Sequence, residues 1–224
     1  MLSALAHIEN WIFDLDNTLY PASADLFGRI DVKMGLFIQQ LLGVDAQEAR
    51  RIQKSYFIEH GTTLSGLMES HGVDPHTFLD FVHDIEMDAL EEDQRLVRSV
   101  ARLPGRKLIF TNGDQPYARR VLAKLGLSDS FEAIHDIHAC AYQPKPRAAS
   151  YESMVEAFGV DPKRTLFADD MARNLQPAHA IGITTVWVNN GSEGGRRDAH
   201  PDFIDYETDD IGHWLESIMG DDSE

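Results

Sequence analysis

Asp14 and Asp16 stand two positions apart, directly after the apolar run Trp11-Ile12-Phe13. A second acidic pair, Asp169-Asp170, closes the run Thr165-Leu166-Phe167-Ala168. Thr111-Asn112 follow Lys107-Leu108-Ile109-Phe110, and Lys145 lies in Gln143-Pro144-Lys145-Pro146. Brought together, these carboxylates repel one another unless a divalent cation sits among them. Mg²⁺ takes a few carboxylates and leaves its other positions to water and substrate phosphate. Asp14 and Asp169 are the natural ligands, and Lys145 adds a positive charge. A carboxylate held in this way still acts as a nucleophile on a phosphoryl group. Asp16, on the turn leaving the strand, is free to face a leaving-group oxygen as general acid. Thr111 and Asn112 can donate hydrogen bonds to the phosphoryl oxygens.

Taken singly, each of these residues has an ordinary role. An Asp at a strand end commonly caps a loop. A lone Lys is commonly solvated, and Asp169-Asp170 before a helix can cap it. Their occurrence in order, at the ends of successive apolar runs, is what argues for chemistry. A fourth such run, 183–188, ends in Asn189-Asn190-Gly191, and 131–134 and 202–204 are weaker strand candidates. Helical spacing occupies 116–125, 146–158 and 172–180 between them. Buried strands alternating with helices imply an α/β fold: a Rossmann-like parallel sheet with helices on both faces. In such sheets, sites form at the carboxyl ends of the strands, near the switch in strand order.

One stretch breaks the alternation. Residues 21–102 hold no strand-like run and read as helices at 26–42, 46–60, 75–90 and 94–102, punctuated by Gly43, Gly61, Gly66 and Gly72. An all-α cap inserted after the first strand is expected there, with 1–20 and 103–224 forming the catalytic core.

The 224 residues carry 20 Lys+Arg against 37 Asp+Glu, a formal net charge of −17. That excess excludes binding to a nucleic acid polymer by phosphate neutralisation and disfavours an anionic membrane surface. The single Cys140 excludes an intramolecular disulfide and fits a reducing compartment. The first ten residues lack the basic and apolar regions of a signal peptide, so a cytoplasmic location is expected. The end, 219–224, reads as a frayed acidic tail.

The ordered set resembles the haloacid dehalogenase superfamily. Phe13-Asp14-Leu15-Asp16-Asn17-Thr18 is similar to its DxDxT motif, Thr111-Asn112 to the second, Lys145-Pro146 to the third and Phe167-Ala168-Asp169-Asp170 to the acidic fourth. The resemblance implies Asp14 as nucleophile forming an aspartyl-phosphate and Asp16 as acid/base. It implies Mg²⁺ bound by Asp14, the Asp16 main-chain carbonyl and Asp169. Position 168 is Ala, where many relatives carry Glu or Gly. This leaves open which of Asp169 and Asp170 touches the metal; Asp169 directly and Asp170 through water is the favoured arrangement. Asn174 is a candidate for orienting Lys145.

Dehalogenation needs no acid for its leaving group, whereas loss of an alkoxide does. The presence of Asp16 therefore points to a phosphate ester. The longer stretches FDLDNTLYP, HGTTLSGL, FVHDI, IFTNGD and QPKP resemble the pyrimidine 5′-nucleotidase subgroup. That implies a nucleoside monophosphate substrate, UMP or CMP. Thr62, Thr63 and His83-Asp84 in the insert are then candidates for reading the nucleoside, and Tyr56 and Phe57 for stacking on its base. The plainer alternatives are a helix cap for Thr62 or Thr63, a surface position for His83-Asp84, and core packing for the aromatics. A sugar-phosphate phosphatase or phosphomutase would share every catalytic residue. A non-catalytic phosphometabolite-binding protein is the reading from another class. Because the net charge opposes an anionic substrate, local positive charge must come from the metal and Lys145, with Arg147 or Arg173 as candidates to add to it.

Overall fold

The computed structural model describes residues 3–192 and 194–220; of the tail expected at 219–224, Met219 closes the last helix, Ile211–Met219, and 221–224 lie outside the described residues. Six parallel strands form one sheet: β1 (Asn10–Phe13), β2 (Arg106–Phe110), β3 (Ala133–His135), β4 (Thr165–Asp169), β5 (Thr184–Val188) and β6 (Tyr206–Thr208). Their order is β3-β2-β1-β4-β5-β6, so the chain moves outward on one side of β1 and then restarts on the other. β1 and β4 are buried along their whole lengths, as the continuous apolar runs of central parallel strands require.

Side chains alternate across the sheet. Trp11 and Phe13 enter one apolar layer with α6 (Gln115–Lys124) and α9 (Ile211–Met219). Ile12, Phe110 and Phe167 enter the other with α7 (Ala148–Phe158) and α8 (Ala172–Ala180). The helices between β1 and β2 are α1 (Leu26–Leu42), α2 (Ala46–His60), α3 (Thr63–His71), α4 (Pro75–His83) and α5 (Gln94–Arg102). Asp45, Asp74, Asp93, Asp114 and Asp210 cap α2, α4, α5, α6 and α9, each accepting from a main-chain N–H of the first turn. Part of the acidic excess thus serves helix starts.

Local readings change in four places. α1 through α4 pack on one another, but α5 lies along α9 and its Leu96 and Val100 join the layer of Trp11. As a packing element, α5 therefore belongs with the sheet, although the sequence places it in the insert. The helix expected over 75–90 stops at His83, where Asp84 leaves helical backbone (φ −74°, ψ 72°). α3 is an extra helix, started by Thr62. The strand expected at 202–204 is a 3₁₀ turn begun by Pro201 and capped by His200; the edge strand comes two residues later, after Asp205 accepts from the Thr185 N–H. No helix among the described residues is long and apolar enough to cross a membrane.

Gly105 turns the chain into β2 at φ +78°, and a Cβ there would meet the Glu9 carbonyl oxygen at 2.2 Å. Gly105→Ala should lower stability by at least about 1–2 kcal/mol from the left-handed backbone alone. Urea unfolding should show the loss as an earlier midpoint, with turnover per folded molecule unchanged.

Candidate active site

The register puts Phe13 opposite Ala168, and the Asp14 N–H donates to the Ala168 carbonyl at 2.9 Å. Asp14 and Asp169 therefore emerge side by side where the strand order switches. Lys145 comes to the same point from the loop after β3. Its Nζ donates to Asp14 Oδ1 and Asp169 Oδ2, both at 2.7 Å, and to the Phe110 carbonyl at 2.9 Å. It is 1% exposed. The Asn112 side chain fixes this loop: Oδ1 accepts from the Lys145 N–H at 2.8 Å, and Nδ2 donates to the Lys145 carbonyl at 3.2 Å. Its carboxamide thus holds Lys145 rather than pointing at a phosphoryl group, the role expected of it. Thr111 is fully buried, and its Oγ1 accepts from the Gly113 N–H at 3.0 Å.

Asp14, Asp169 and Asp170 each offer an oxygen within 4.8 Å of the others. Burial pushes the Asp14 carboxyl up to about 7, against the pull of Lys145 and with a further push from Asp169. Burial also raises Asp170 well above the usual carboxylate range, reinforced by Asp169 and Asp14. Burial disfavours the charge on Lys145, but Asp14 and Asp169 outweigh it and raise the ammonium above its ordinary value. Three buried carboxylates share one ammonium, so the cluster is short of positive charge. An all-oxygen donor set with that deficit fits a hard divalent cation.

The two carboxyls of the acidic pair have different hydrogen-bond partners. Asp169 accepts from Lys145, from Asn174 Nδ2 at 3.0 Å on each oxygen, and from the Met171 N–H at 2.8 Å. Its oxygens are engaged by protein donors, so Asn174 orients Lys145 only by way of Asp169. The Asp170 carboxyl has a side-chain hydrogen bond with Ser192. Asp169 and Asp170 both lie within reach of a shared cation, and the protein donors already on the Asp169 oxygens make Asp170 the alternative direct ligand to the favoured arrangement. Thr18 joins the two sides: its hydroxyl donates to Asp14 Oδ2 at 3.1 Å and accepts from the Asp170 N–H at 3.0 Å.

Asp16 lines a cavity of about 330 Å³ between the sheet edge and α1–α4. The walls are largely apolar, with Ile30, Met34, Phe57, Phe78 and Val82 among them. Thr62, Thr63 and His83 also line it, together with Asn112 and Arg197. Thr62 Oγ1 accepts from the Ser65 N–H at 3.1 Å, the plain capping role, and Thr63 Oγ1 donates to the Gln53 carbonyl at 3.5 Å. His83 stacks flat on Tyr117, with centroids 4.3 Å apart, and its Nδ1 lies 3.2 Å from Asp114 Oδ1. Asp84 instead faces solvent and pairs with Lys33. Phe57 carries the Arg173 guanidinium 4.7 Å from its centroid, whereas the Tyr56 hydroxyl pairs with His71. Arg147 holds the His60 carbonyl at the end of α2. The sequence reading gave no role to Thr18, Tyr20, Tyr117 or Arg197. Thr18 and Tyr20 each follow a motif Asp by four residues, a spacing that could have flagged them.

Residues 8–182 match the haloacid dehalogenase-like hydrolase family. The chain belongs to that family. Phosphate metabolism protein 8 of Saccharomyces cerevisiae is 28% identical to this hydrolase over 197 residues, 79% of this chain and 60% of its own length. Enolase-phosphatase E1 of Azotobacter vinelandii is 41% identical over 58 residues, 26% of this chain and 25% of that one. The chain therefore spans less than two thirds of both relatives. Among solved structures, a HAD phosphatase from Thermococcus onnurineus shares the fold with a TM-score of 0.64 at 19% identity, over 95% of this chain and 98% of that one. The HAD-hydrolase YfnB of Bacillus subtilis, bound to magnesium, gives 0.60 at 16% identity, over 94% and 98%. L-2-haloacid dehalogenase from Xanthobacter autotrophicus gives 0.58 at 18% identity, over 95% and 99%.

Removing the ammonium from this hydrolase leaves Asp14 and Asp169 buried without a counter-charge. Lys145→Met should therefore lower stability by roughly 3–5 kcal/mol in metal-free buffer. Urea unfolding in the presence of a chelator measures it, and an unchanged midpoint would contradict the buried-pair reading.

Proposed function

We propose that the protein hydrolyses phosphomonoesters through an aspartyl-phosphate on Asp14. A divalent cation, magnesium by family, would be held by Asp14, the Asp16 main-chain carbonyl and Asp169 or Asp170, where it would draw charge from the phosphoryl oxygens. Lys145 favours the ionised form of Asp14 and aims it. An Asp14 carboxylate oxygen attacks phosphorus, and the ester P–O bond breaks with its electron pair on the leaving oxygen. Asp16 gives that oxygen a proton, then takes one from the water that hydrolyses the acyl phosphate. Thr111 supports the turn that presents Gly113 to the cavity, and its hydroxyl is the protein donor proposed for the phosphoryl oxygens.

The observation that carries this reading is the Asp14–Lys145–Asp169 cluster, buried beside an acid that opens on a cavity. A pure binding protein needs a cation for phosphate. It does not need a carboxylate at the attacking position with a second one facing the leaving group.

For the substrate we propose a nucleoside 5′-monophosphate, with pyrimidines UMP and CMP first. The apolar cavity walls suit a flat base, with Phe57 held by Arg173 as the stacking surface. A sugar phosphate needs many hydroxyl partners. The hydroxyl of Thr62 serves α3, and Gln53 Nε2 donates to Asp31 Oδ1 at 2.7 Å. Phosphatase or phosphomutase action on sugars is accordingly the second reading. Arg173 and Arg197 supply positive charge near the cavity, offsetting locally a net charge of −17. No role with a nucleic acid polymer or a membrane is proposed. Cys140 is free and buried, which suits the cytoplasm.

Wild-type enzyme with Mg²⁺ should release orthophosphate from UMP and CMP with higher kcat/KM than from hexose phosphates. A chelator should abolish turnover and Mg²⁺ should restore it. Asp14→Asn should bring activity to background in protein checked for deamidation. A preference for hexose phosphates would overturn the nucleotide assignment, and an active Asp14→Asn the nucleophile.

A further inference from the structure

Asp16 is gripped on one side only. The Tyr20 hydroxyl donates to Asp16 Oδ1 at 2.5 Å, and the Tyr117 hydroxyl donates to the same atom at 2.6 Å. The two phenolic oxygens are 3.5 Å apart. Among the described residues no side chain donates to Oδ2. Both rings are buried, Tyr20 3% and Tyr117 1% exposed, so neither can swing away without disturbing the apolar layer beneath.

A neutral carboxylic acid has one oxygen that accepts and one that carries the proton. Two donors aimed at Oδ1 make it the accepting oxygen. The proton is left to Oδ2, on a residue that lines the cavity. We infer that Tyr20 and Tyr117 are positioning residues for proton delivery: their hydroxyls hold Asp16 Oδ1 so that Oδ2 presents its proton to the leaving-group oxygen. When the P–O bond breaks, the electron pair goes to that oxygen, the Oδ2 proton follows, and the new carboxylate keeps both phenolic hydrogen bonds.

The arrangement reaches into the helical insert. Tyr117 carries the His83 ring of α4 flat against its own, and Arg120 donates to the His83 carbonyl at 2.9 Å and the Ile85 carbonyl at 2.8 Å. The phenol that orients the acid is thus itself packed by the part of the chain that covers the substrate.

The inference rests on the phosphomonoesterase reading, and one experiment separates the two. Tyr20→Phe, Tyr117→Phe and the double variant are compared with wild type on 4-nitrophenyl phosphate, whose leaving group needs no proton. The comparison ester is the alkyl phosphate that wild type turns over best. General acid help is typically worth about 10²–10⁴-fold, so losing its orientation should reduce kcat on the alkyl ester roughly 10- to 100-fold more than on the nitrophenyl ester. KM for the alkyl ester should move little. The ratio of the two losses does not depend on the fraction of enzyme folded. Equal loss on both esters, or no loss on either, would overturn the positioning role while leaving the phosphatase intact. A wild type active on the aryl ester alone would remove the acid role and the tyrosines with it. A wild type active on neither would overturn both readings.

Discussion

A buried ammonium with two carboxylates at 2.7 Å is the interaction on which the rest of the site depends. Lys145 cannot be left in the apolar interior without Asp14 and Asp169, and it is the ammonium that faces both of those buried carboxylates. The requirement reaches back into the fold. Asn112 clamps the main chain of residue 145, the Phe110 carbonyl takes the third ammonium hydrogen, and Asn174 holds Asp169 from α8. Residues from β1, the loop after β2, the loop after β3 and the end of β4 are tied to one point. Even with these partners, burial still pushes Asp14 up to about 7. The cluster is therefore built for more positive charge than the chain itself provides.

Sheet topology makes that convergence possible. With β1 between β2 and β4, a single strand end has neighbours from both halves of the chain. The crevice formed where strand order switches leaves room above it for a ligand. Thr18, leaving β1, ties the Asp14 carboxylate to the Asp170 main chain, so the first motif and the fourth become one rigid unit. The hydrogen bonding also separates neighbours that look equivalent. Asp169 serves the protein through Lys145, Asn174 and Met171, while the Asp170 carboxyl bonds Ser192.

Above the sheet edge the chemistry changes character. The cavity is walled mainly by aliphatic and aromatic groups, and most polar side chains there have protein partners. Chemistry at its floor and recognition at its walls thus fall on different parts of the chain. They meet at Asp16, whose tyrosine partners lie on β1's exit loop and on α6. Arginines at three places on the core side touch the insert: Arg120 holds carbonyls at the end of α4, Arg147 a carbonyl at the end of α2, and Arg173 the ring of Phe57. In a chain of net charge −17, their concentration here sets a local field that the overall charge hides.

The sequence by itself determined the parallel α/β sheet, because each central strand is a short apolar run buried on both faces and closed by polar residues. It also determined which residue types meet: Asp14, Asp16, Thr111, Asp169 and Asp170 sit at or just past strand ends and Lys145 in the loop after β3, and the topology of such sheets gathers those ends. The chain between β1 and β2 was legible as helical from its periodicity, but not as to which helices pack together. Residues 94–102 have an apolar stripe that would suit either the insert or the sheet, and only contact with α9 chose the sheet. The same limit explains the edge strand at 206–208, three residues long and incompletely buried, which carries almost no periodic signal. Within the site, tertiary structure decided that Asn112 serves Lys145, that Thr62 starts a helix, and that Asp169 accepts from Met171 while Asp170 bonds Ser192. Tyr20 and Tyr117 lie 97 positions apart and meet on one oxygen. A side chain's type is written in the sequence; the partner that engages its lone pairs is a matter of distance, and distance exists only once the chain has folded.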